Sequence, residues 1–206
     1  MNLLFEEPLI AGLKYQEKLV SEAEEKQLID RLTALELAPF RFHGFIGNRK
    51  TRSFGWRYDF DDSSFARTEP IPDWLRSLQQ QAAAFGGMEP DDFAHALLAR
   101  YDPGAGIGWH RDRDVFENVV GISLGTPATL RFRQRIASGF RRTSVQVEPR
   151  SAYLLSGEAR HDWEHSISPA RAFVFRSPFA PCPRRACASP WHRERERCTD
   201  ETVLAQ

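Results

Sequence analysis

The stretch GWHRDRD, Gly108 to Asp114, sets His110 and Asp112 two residues apart. In an extended segment residues i and i+2 point the same way, so an imidazole and a carboxylate could be offered to one ion. Alone, H-x-D more often marks two polar residues on a surface loop. The candidate partner is His165 in RHDWEHSI, far down the chain and across several predicted strands. Two histidines and one carboxylate on three corners of an octahedron leave the opposite three open, the arrangement typical of non-haem Fe(II) oxygenases. The open positions hold a bidentate cosubstrate and O2. Zinc could occupy the same set, so ligand identity alone leaves the metal open.

The other histidines compete poorly. His161 lies four residues before His165 and would face the same way only on a helix. His43, His95 and His192 lack a carboxylate at suitable spacing, except for Glu194 beside His192, and read as structural or incidental. Further on, RAFVFRSPF carries Arg171 and Arg176, five residues apart, which a regular strand points to opposite faces. An arginine turned into a core needs an anion, and Arg176, after Phe-Val-Phe, is the one expected inside; the alternative is an edge-strand arginine in water.

Stepping from these residues to the elements that must hold them, SEAEEKQLIDRLTAL predicts a helix. Ser21 and Glu24 have capping-box spacing, and Leu28, Ile29, Leu32 and Leu35 fall on one face. A second helix is expected from Pro72 and Asp73, through Trp74, Leu75 and Leu78, to Gly86-Gly87. After Asp92 come the short apolar runs AHALLARY, NVVGISL, ATLRFRQ, SVQVEP, SAYLLSG and RAFVFRS, punctuated by Gly, Pro or Ser. Such a rhythm predicts a β-sandwich or barrel. Leu130, Phe132 and Gln134 alternate with Arg131, Arg133 and Arg135, a strand with one arginine-lined face. The expected architecture is mainly β, helices first and then an antiparallel core. Residues 1–180 form the domain; 181–206, rich in Pro, Arg and Cys, form a loosely held tail.

In their order along the chain, LLARYDPGAGIGWHRD, VVGISLG, LRFR, YLLSGEARHDWEHSI and FVFRSPF resemble the AlkB-type 2-oxoglutarate/Fe(II) dioxygenases. FHGFIGNRKTRSFGWRYDF and PIPDWL resemble the bacterial branch of that family. The resemblance runs from about Phe40 to Phe179. It implies a double-stranded β-helix (jelly-roll) with N-terminal helices packed on it, and Fe(II) held by His110, Asp112 and His165. It also implies 2-oxoglutarate chelating the iron and salt-bridged by arginine. Members carry Asn-x-Tyr before H-x-D; here the triplet is Ala99-Arg100-Tyr101, which keeps Tyr101 as a cosubstrate contact. Of the two arginines that close the motif, Arg176 matches the second. The first falls on Ala170, with Arg171 one place away, where a bulge could still turn it inward. Arg160 matches an arginine near the family's active site.

The 28 Lys+Arg and 28 Asp+Glu of the 206 residues cancel, so any nucleic-acid site must be a local patch. From Arg41 to Arg57 the segment RFHGFIGNRKTRSFGWR holds Arg49, Lys50 and Arg52 interleaved with Phe42, Phe45, Phe54 and Trp56, and no acid. Cations among aromatics suit a phosphate backbone and a stacked base, and a lesion in a duplex must be flipped out to be reached. Arg131, Arg133, Arg135, Arg141 and Arg142 make a second basic run. Solvated strand faces would look the same. Tyr58 and Trp109 line the pocket or belong to the core; Asp102 and Asp114 read as turn residues, and Glu158 as a loop or substrate contact.

No run of about 18 apolar residues is present, so no membrane span is expected. The N-terminus MNLLFEEPLI has acids where a secretory signal has bases. The three cysteines, Cys182, Cys187 and Cys198, sit together in the tail without C-x-x-C spacing, which fits a reducing cytoplasm. The expectation is a monomeric dioxygenase, using Fe(II), 2-oxoglutarate and O2, that demethylates alkylated bases in DNA or RNA and releases formaldehyde, succinate and CO2. A hydroxylase of a protein or small molecule and a catalytically silent binding module are the rivals, since fold is not function.

Overall fold

The computed structural model describes residues 9–42, 45–58, 65–112, 116–169, 174–176 and 179–181. In chain order the elements are β1 (Leu13–Gln16), α1 (Glu22–Ala34), β2 (Ala38–Phe42), β3 (Phe45–Phe54), β4 (Trp56–Tyr58), β5 (Phe65–Arg67), α2 (Arg76–Gly86), β6 (Phe93–Tyr101), β7 (Ile107–His110) and β8 (Val119–Gly125). They continue with β9 (Ala128–Ile136), β10 (Gly139–Val147), β11 (Ala152–Leu155), α3 (Gly157–His161), β12 (Glu164–Ile167), β13 (Val174–Arg176) and β14 (Phe179–Pro181).

The strands form two principal antiparallel sheets. The larger runs β1-β11-β8-β13-β6-β3-β2, with β14 also pairing β6 and β8. The smaller runs β10-β9-β12-β7, and β4 pairs β5 apart from both. Two cores lie on the two faces of the large sheet. On one, Leu28 and Leu32 of α1 and Leu78, Ala82 and Ala83 of α2 cover Ala96, Leu98, Val120, Ile122 and Leu124. On the other, Ala99, Tyr101, Val119 and Tyr153 meet Leu130, Phe132, Val147 and Ile167 of the smaller sheet. Strand β8 is buried on both faces, which is why VVGISL reads as a continuous apolar run and not an alternation. Strand β9 is buried on one face only; Leu130 and Phe132 turn in while Arg131 and Arg133 turn out, as their alternation predicts.

The helix signals are realised. The Ser21 hydroxyl accepts from the Glu24 amide while the Glu24 carboxylate accepts from the Ser21 amide, and these bonds hold the Glu24 carboxyl below its ordinary range. A 3-10 turn, Asp73–Leu75, leads into α2, which closes on Gly87 at φ +68°. The order of elements differs from the expectation. The Arg41–Arg57 stretch, which lies ahead of the expected β-core, belongs to it: ten of its residues form β3, a full member of the large sheet paired along β6. Its polar alternation hid it, because its apolar support comes from β6 and the helices. The tail beyond Pro181 lies outside the described residues.

Candidate metal centre

Strands β7 and β12 bring the distant histidines together. They pair antiparallel with His165 directly opposite His110, and residues directly opposite across such a pair share one face. On its other side β12 pairs β9, setting His165 against Phe132, which is fully buried. The ring centroids of the two histidines are 4.3 Å apart. At Gly106 a side chain would stand 2.7 Å from the Ile167 carbonyl oxygen, so only glycine lets the entry to β7 come this close to the end of β12.

Asp112 follows β7 and its carboxylate approaches both rings. Its Oδ1 is 3.8 Å from His110 Nε2 and its Oδ2 is 3.7 Å from His165 Nε2. One donor atom from each of the three lies within 4.8 Å of the others. The Nδ1 of His110 is 2.8 Å from the Gly108 carbonyl oxygen. A carbonyl only accepts, so Nδ1 carries the proton and Nε2 keeps its lone pair for a metal. Burial would raise the Asp112 carboxyl, but His165, His110, Arg160 and Arg49, in that order, hold it below the usual range, ionised and ready to bind.

Arg160, on α3, is 2 % exposed. Its Nη1 donates to the Asp112 carbonyl oxygen at 3.1 Å and its Nη2 to that of Phe116 at 2.9 Å. Matched in sequence to an arginine near the family's active site, it clamps the backbone on both sides of the segment after Asp112. Arg111 adds a bond from Nη1 to the His161 carbonyl oxygen at 2.9 Å. His161 is exposed and outside the triad, which decides between the two rival histidines in favour of His165.

His95, expected to be structural or incidental, is structural and lies close to this centre. It is buried on β6, its ring stacked on Phe116 at 5.0 Å, and burial pushes its imidazole down to about 4 while the Asp112 carboxylate opposes the shift. Its only sequence signal is a polar residue in register with Ala99 and Tyr101 on the inward face.

The triad fits Fe(II) by its donor set, two imidazoles and a carboxylate. Polar side chains able to donate to a carboxylate also lie on the face of the large sheet that meets the smaller sheet. Tyr101, 2 % exposed, lies there. The Ser123 hydroxyl is buried, with no hydrogen-bond partner among the described residues, on the same face of β8. Arg176 pairs with Ala99 on one side and Ser123 on the other; its side chain, like those of Phe42, Phe45 and Tyr58, lies outside the described part. Arg171, Asp114, His43 and His192 are likewise outside the described residues.

The cations and aromatics of the Arg41–Arg57 segment do not share one face. Strand β3 alternates, so Arg49 faces the metal side with Tyr101, while Lys50 pairs Asp102 at 3.2 Å and Arg52 pairs Glu69 at 2.7 Å. Phe54 is 4 % exposed within the helix-side core and is not available to stack on a base. Trp56 is half-buried under Arg67, whose guanidinium carbon is 5.4 Å from its ring centroid. Asp102 is an ion-pair residue for Lys50 and Arg100, and Glu158 accepts from Trp163 Nε1 at 2.9 Å.

Residues 12–178 match the 2OG-Fe(II) oxygenase superfamily. The chain belongs to that family. Its triad is the Fe(II)- and 2-oxoglutarate-binding site of this superfamily. Among its relatives is the tRNA (carboxymethyluridine(34)-5-O)-methyltransferase ALKBH8 of Mus musculus, 26% identical over 80% of this chain and 25% of that protein. The chain thus spans about a quarter of that relative's length. The alpha-ketoglutarate-dependent dioxygenase AlkB of Salmonella typhimurium is 26% identical, over 82% of this chain and 85% of that one. In fold, the chain is similar to the solved structure of OsALKBH1, with a TM-score of 0.61 at 15% identity, covering 82% of this chain and 96% of that one. A Pseudomonas putida prolyl-4-hydroxylase follows at a TM-score of 0.55 and 15% identity, covering 83% and 92%. Among the described residues no helix is long and apolar enough to cross a membrane.

Proposed function

We propose that this superfamily member is a 2-oxoglutarate/Fe(II) dioxygenase that oxidatively demethylates alkylated bases in DNA or RNA. Its two sheets then read as a double-stranded β-helix, with His110, Asp112 and His165 holding the iron. Bound there with 2-oxoglutarate and O2, iron supplies oxidation of a C–H bond, and an N-methyl group so hydroxylated is lost as formaldehyde, with succinate and CO2 as coproducts. The chain's own part is to orient and shield. His110 is fixed by Gly108, Asp112 is kept ionised, and Arg160 anchors the backbone at Asp112 and Phe116.

The observation that carries the nucleic-acid reading is the outer face of the smaller sheet. Arg131 and Arg133 lie over Trp109, at 5.1 and 4.7 Å, and Arg133, Arg135 and Arg142 lie over Phe140 at 4.5, 5.9 and 5.3 Å. Glu164 is the acid paired into this group, through Arg133. Guanidinium groups ordered on aromatic rings suit phosphates and bases, and the same sheet carries His110 and His165. The name of the mouse ALKBH8 relative, a tRNA methyltransferase, points the same way. The cysteine-poor domain fits a reducing compartment such as the cytoplasm.

The test is formaldehyde release from N-methylated oligonucleotides against methylated peptides, with Fe(II) and 2-oxoglutarate supplied. Turnover of the oligonucleotides alone supports the reading. Turnover of peptides alone moves the chemistry to a protein substrate, and absence of any succinate release would leave a binding module.

A further inference from the structure

Arg49 differs from Lys50 and Arg52, the other bases at the centre of its segment. Across the β3–β6 pairing it stands opposite Tyr101, as Thr51 stands opposite Ala99, so both β3 residues face the metal side. Its Nη1 is 3.5 Å from the Tyr101 hydroxyl oxygen, at the outer edge of hydrogen-bond range. Its guanidinium carbon lies 3.9 Å from the Phe40 ring centroid, which holds the planar group in place. Lys50 and Arg52, on the other face, each have a carboxylate; Arg49 is half-buried and ion-pairs with no carboxylate among the described residues. Its charge is felt at Asp112. The neighbouring Ala99 offers no polar side chain, so the β3–β6 edge of the site presents a guanidinium, a phenol and the Thr51 hydroxyl.

A half-buried cation with a weak phenol contact and an aromatic platform is a geometry that a carboxylate completes, since a charge-assisted, bidentate pair is worth far more than the bond Arg49 now makes. We propose that Arg49 is a cosubstrate-binding residue: its guanidinium, beside Tyr101, receives a carboxylate of 2-oxoglutarate. The role does not depend on the methylated substrate being a nucleic acid. It makes Arg49 a ligand-binding residue on β3, separate from Arg176 on β13.

The experiment measures 2-oxoglutarate affinity anaerobically, by the charge-transfer absorption of the Fe(II) chelate, in the wild type, Arg49→Met and Arg49→Lys. Arg49→Met should weaken 2-oxoglutarate about tenfold or more, and Arg49→Lys should recover part of that loss. The melting temperature should stay at the wild-type value in both, which a merely structural role would not allow, and Fe(II) affinity without cosubstrate should change far less than 2-oxoglutarate affinity. A parallel titration with 2-oxopentanoate, which has the same keto-acid chelate but no distal carboxylate, locates the contact. If it is unaffected, Arg49 holds the distal carboxylate; if it weakens equally, Arg49 holds the chelating one. Retention of 2-oxoglutarate affinity within about twofold in Arg49→Met overturns the proposal, including the case in which only turnover of the methylated substrate falls, which would assign Arg49 to that substrate instead.

Discussion

His165 and His110 stand directly opposite each other on β12 and β7, and their Nε2 atoms flank the same carboxylate, that of Asp112. Removing any corner of this triangle leaves two ligands, too few to fix a facial set. His110→Ala, Asp112→Ala and His165→Ala should each lower Fe(II) affinity by more than about 100-fold, beyond what loss of an outer-shell partner produces, and abolish the charge-transfer band with 2-oxoglutarate. Anaerobic iron titration reads this directly. A single variant that keeps wild-type iron affinity would remove its residue from the ligand set.

Arg160 acts one step behind. Its guanidinium holds the carbonyl groups of Asp112 and Phe116 from a site almost wholly out of water. Arg160→Met keeps the bulk of the stem but leaves both carbonyl oxygens without that donor. The expected cost is about 2–3 kcal/mol of stability, together with weaker iron binding because Asp112 is no longer held. Thermal unfolding measured on the metal-free and iron-loaded protein should show the larger deficit in the loaded form.

His95 sets an acid limit. Its imidazole is held near 4 in the fold against an ordinary 6.5. Between those values the unfolded chain takes up a proton that the folded one refuses, so stability is complete above about 6.5 and falls as pH drops toward 4. The slope is about 1.4 kcal/mol per pH unit, for a total near 3 kcal/mol. Asp112 adds its own loss in a separate, lower window, because its carboxyl is depressed and its contribution disappears only as pH falls below the ordinary carboxylate range. In His95→Leu, with metal chelated, urea unfolding should lose its pH dependence between 6.5 and 4 while keeping the steeper fall below it.

These residues mark how far the sequence could be read. The metal set was legible because H-x-D needs only an extended backbone, and the partner was the histidine that lay in a strand. The arginine face of β9 was legible because alternation is strict there. Strand β3 was not: Asn48 to Ser53 is a polar run whose β character comes from its pairing with β6, and reading it as one basic stretch merged Arg49 with Lys50 and Arg52, which period-two alternation separates. Phe54 counted as a stacking aromatic until the two helices were seen to cover it. His95 carried little local signal, and Arg160 only its match to an arginine near the family's active site. Their roles come from burial against a segment distant in sequence, which only the packed sheets bring close.

The same separation of faces yields a prediction for nucleic-acid binding. If the outer face of the smaller sheet is the contact surface, its free charges matter and the paired ones of β3 do not. Arg135 and Arg142 are exposed and rest on Phe140, whereas Lys50 and Arg52 are tied to Asp102 and Glu69. Each phosphate contact contributes a counterion to the salt dependence, with a slope of about −0.7 per contact on a single strand. Arg135→Glu/Arg142→Glu should therefore weaken binding of a single-stranded oligonucleotide at least tenfold at low salt and flatten the log–log salt slope by about 1.4. Lys50→Glu/Arg52→Glu should change the slope by much less, since those cations already face carboxylates and the reversal exchanges one local imbalance for another. Fluorescence anisotropy across a salt series measures both. An unchanged slope in the Arg135/Arg142 variant, with the fold intact by circular dichroism, would take this face out of substrate binding and leave the mouth of the metal pocket to supply it.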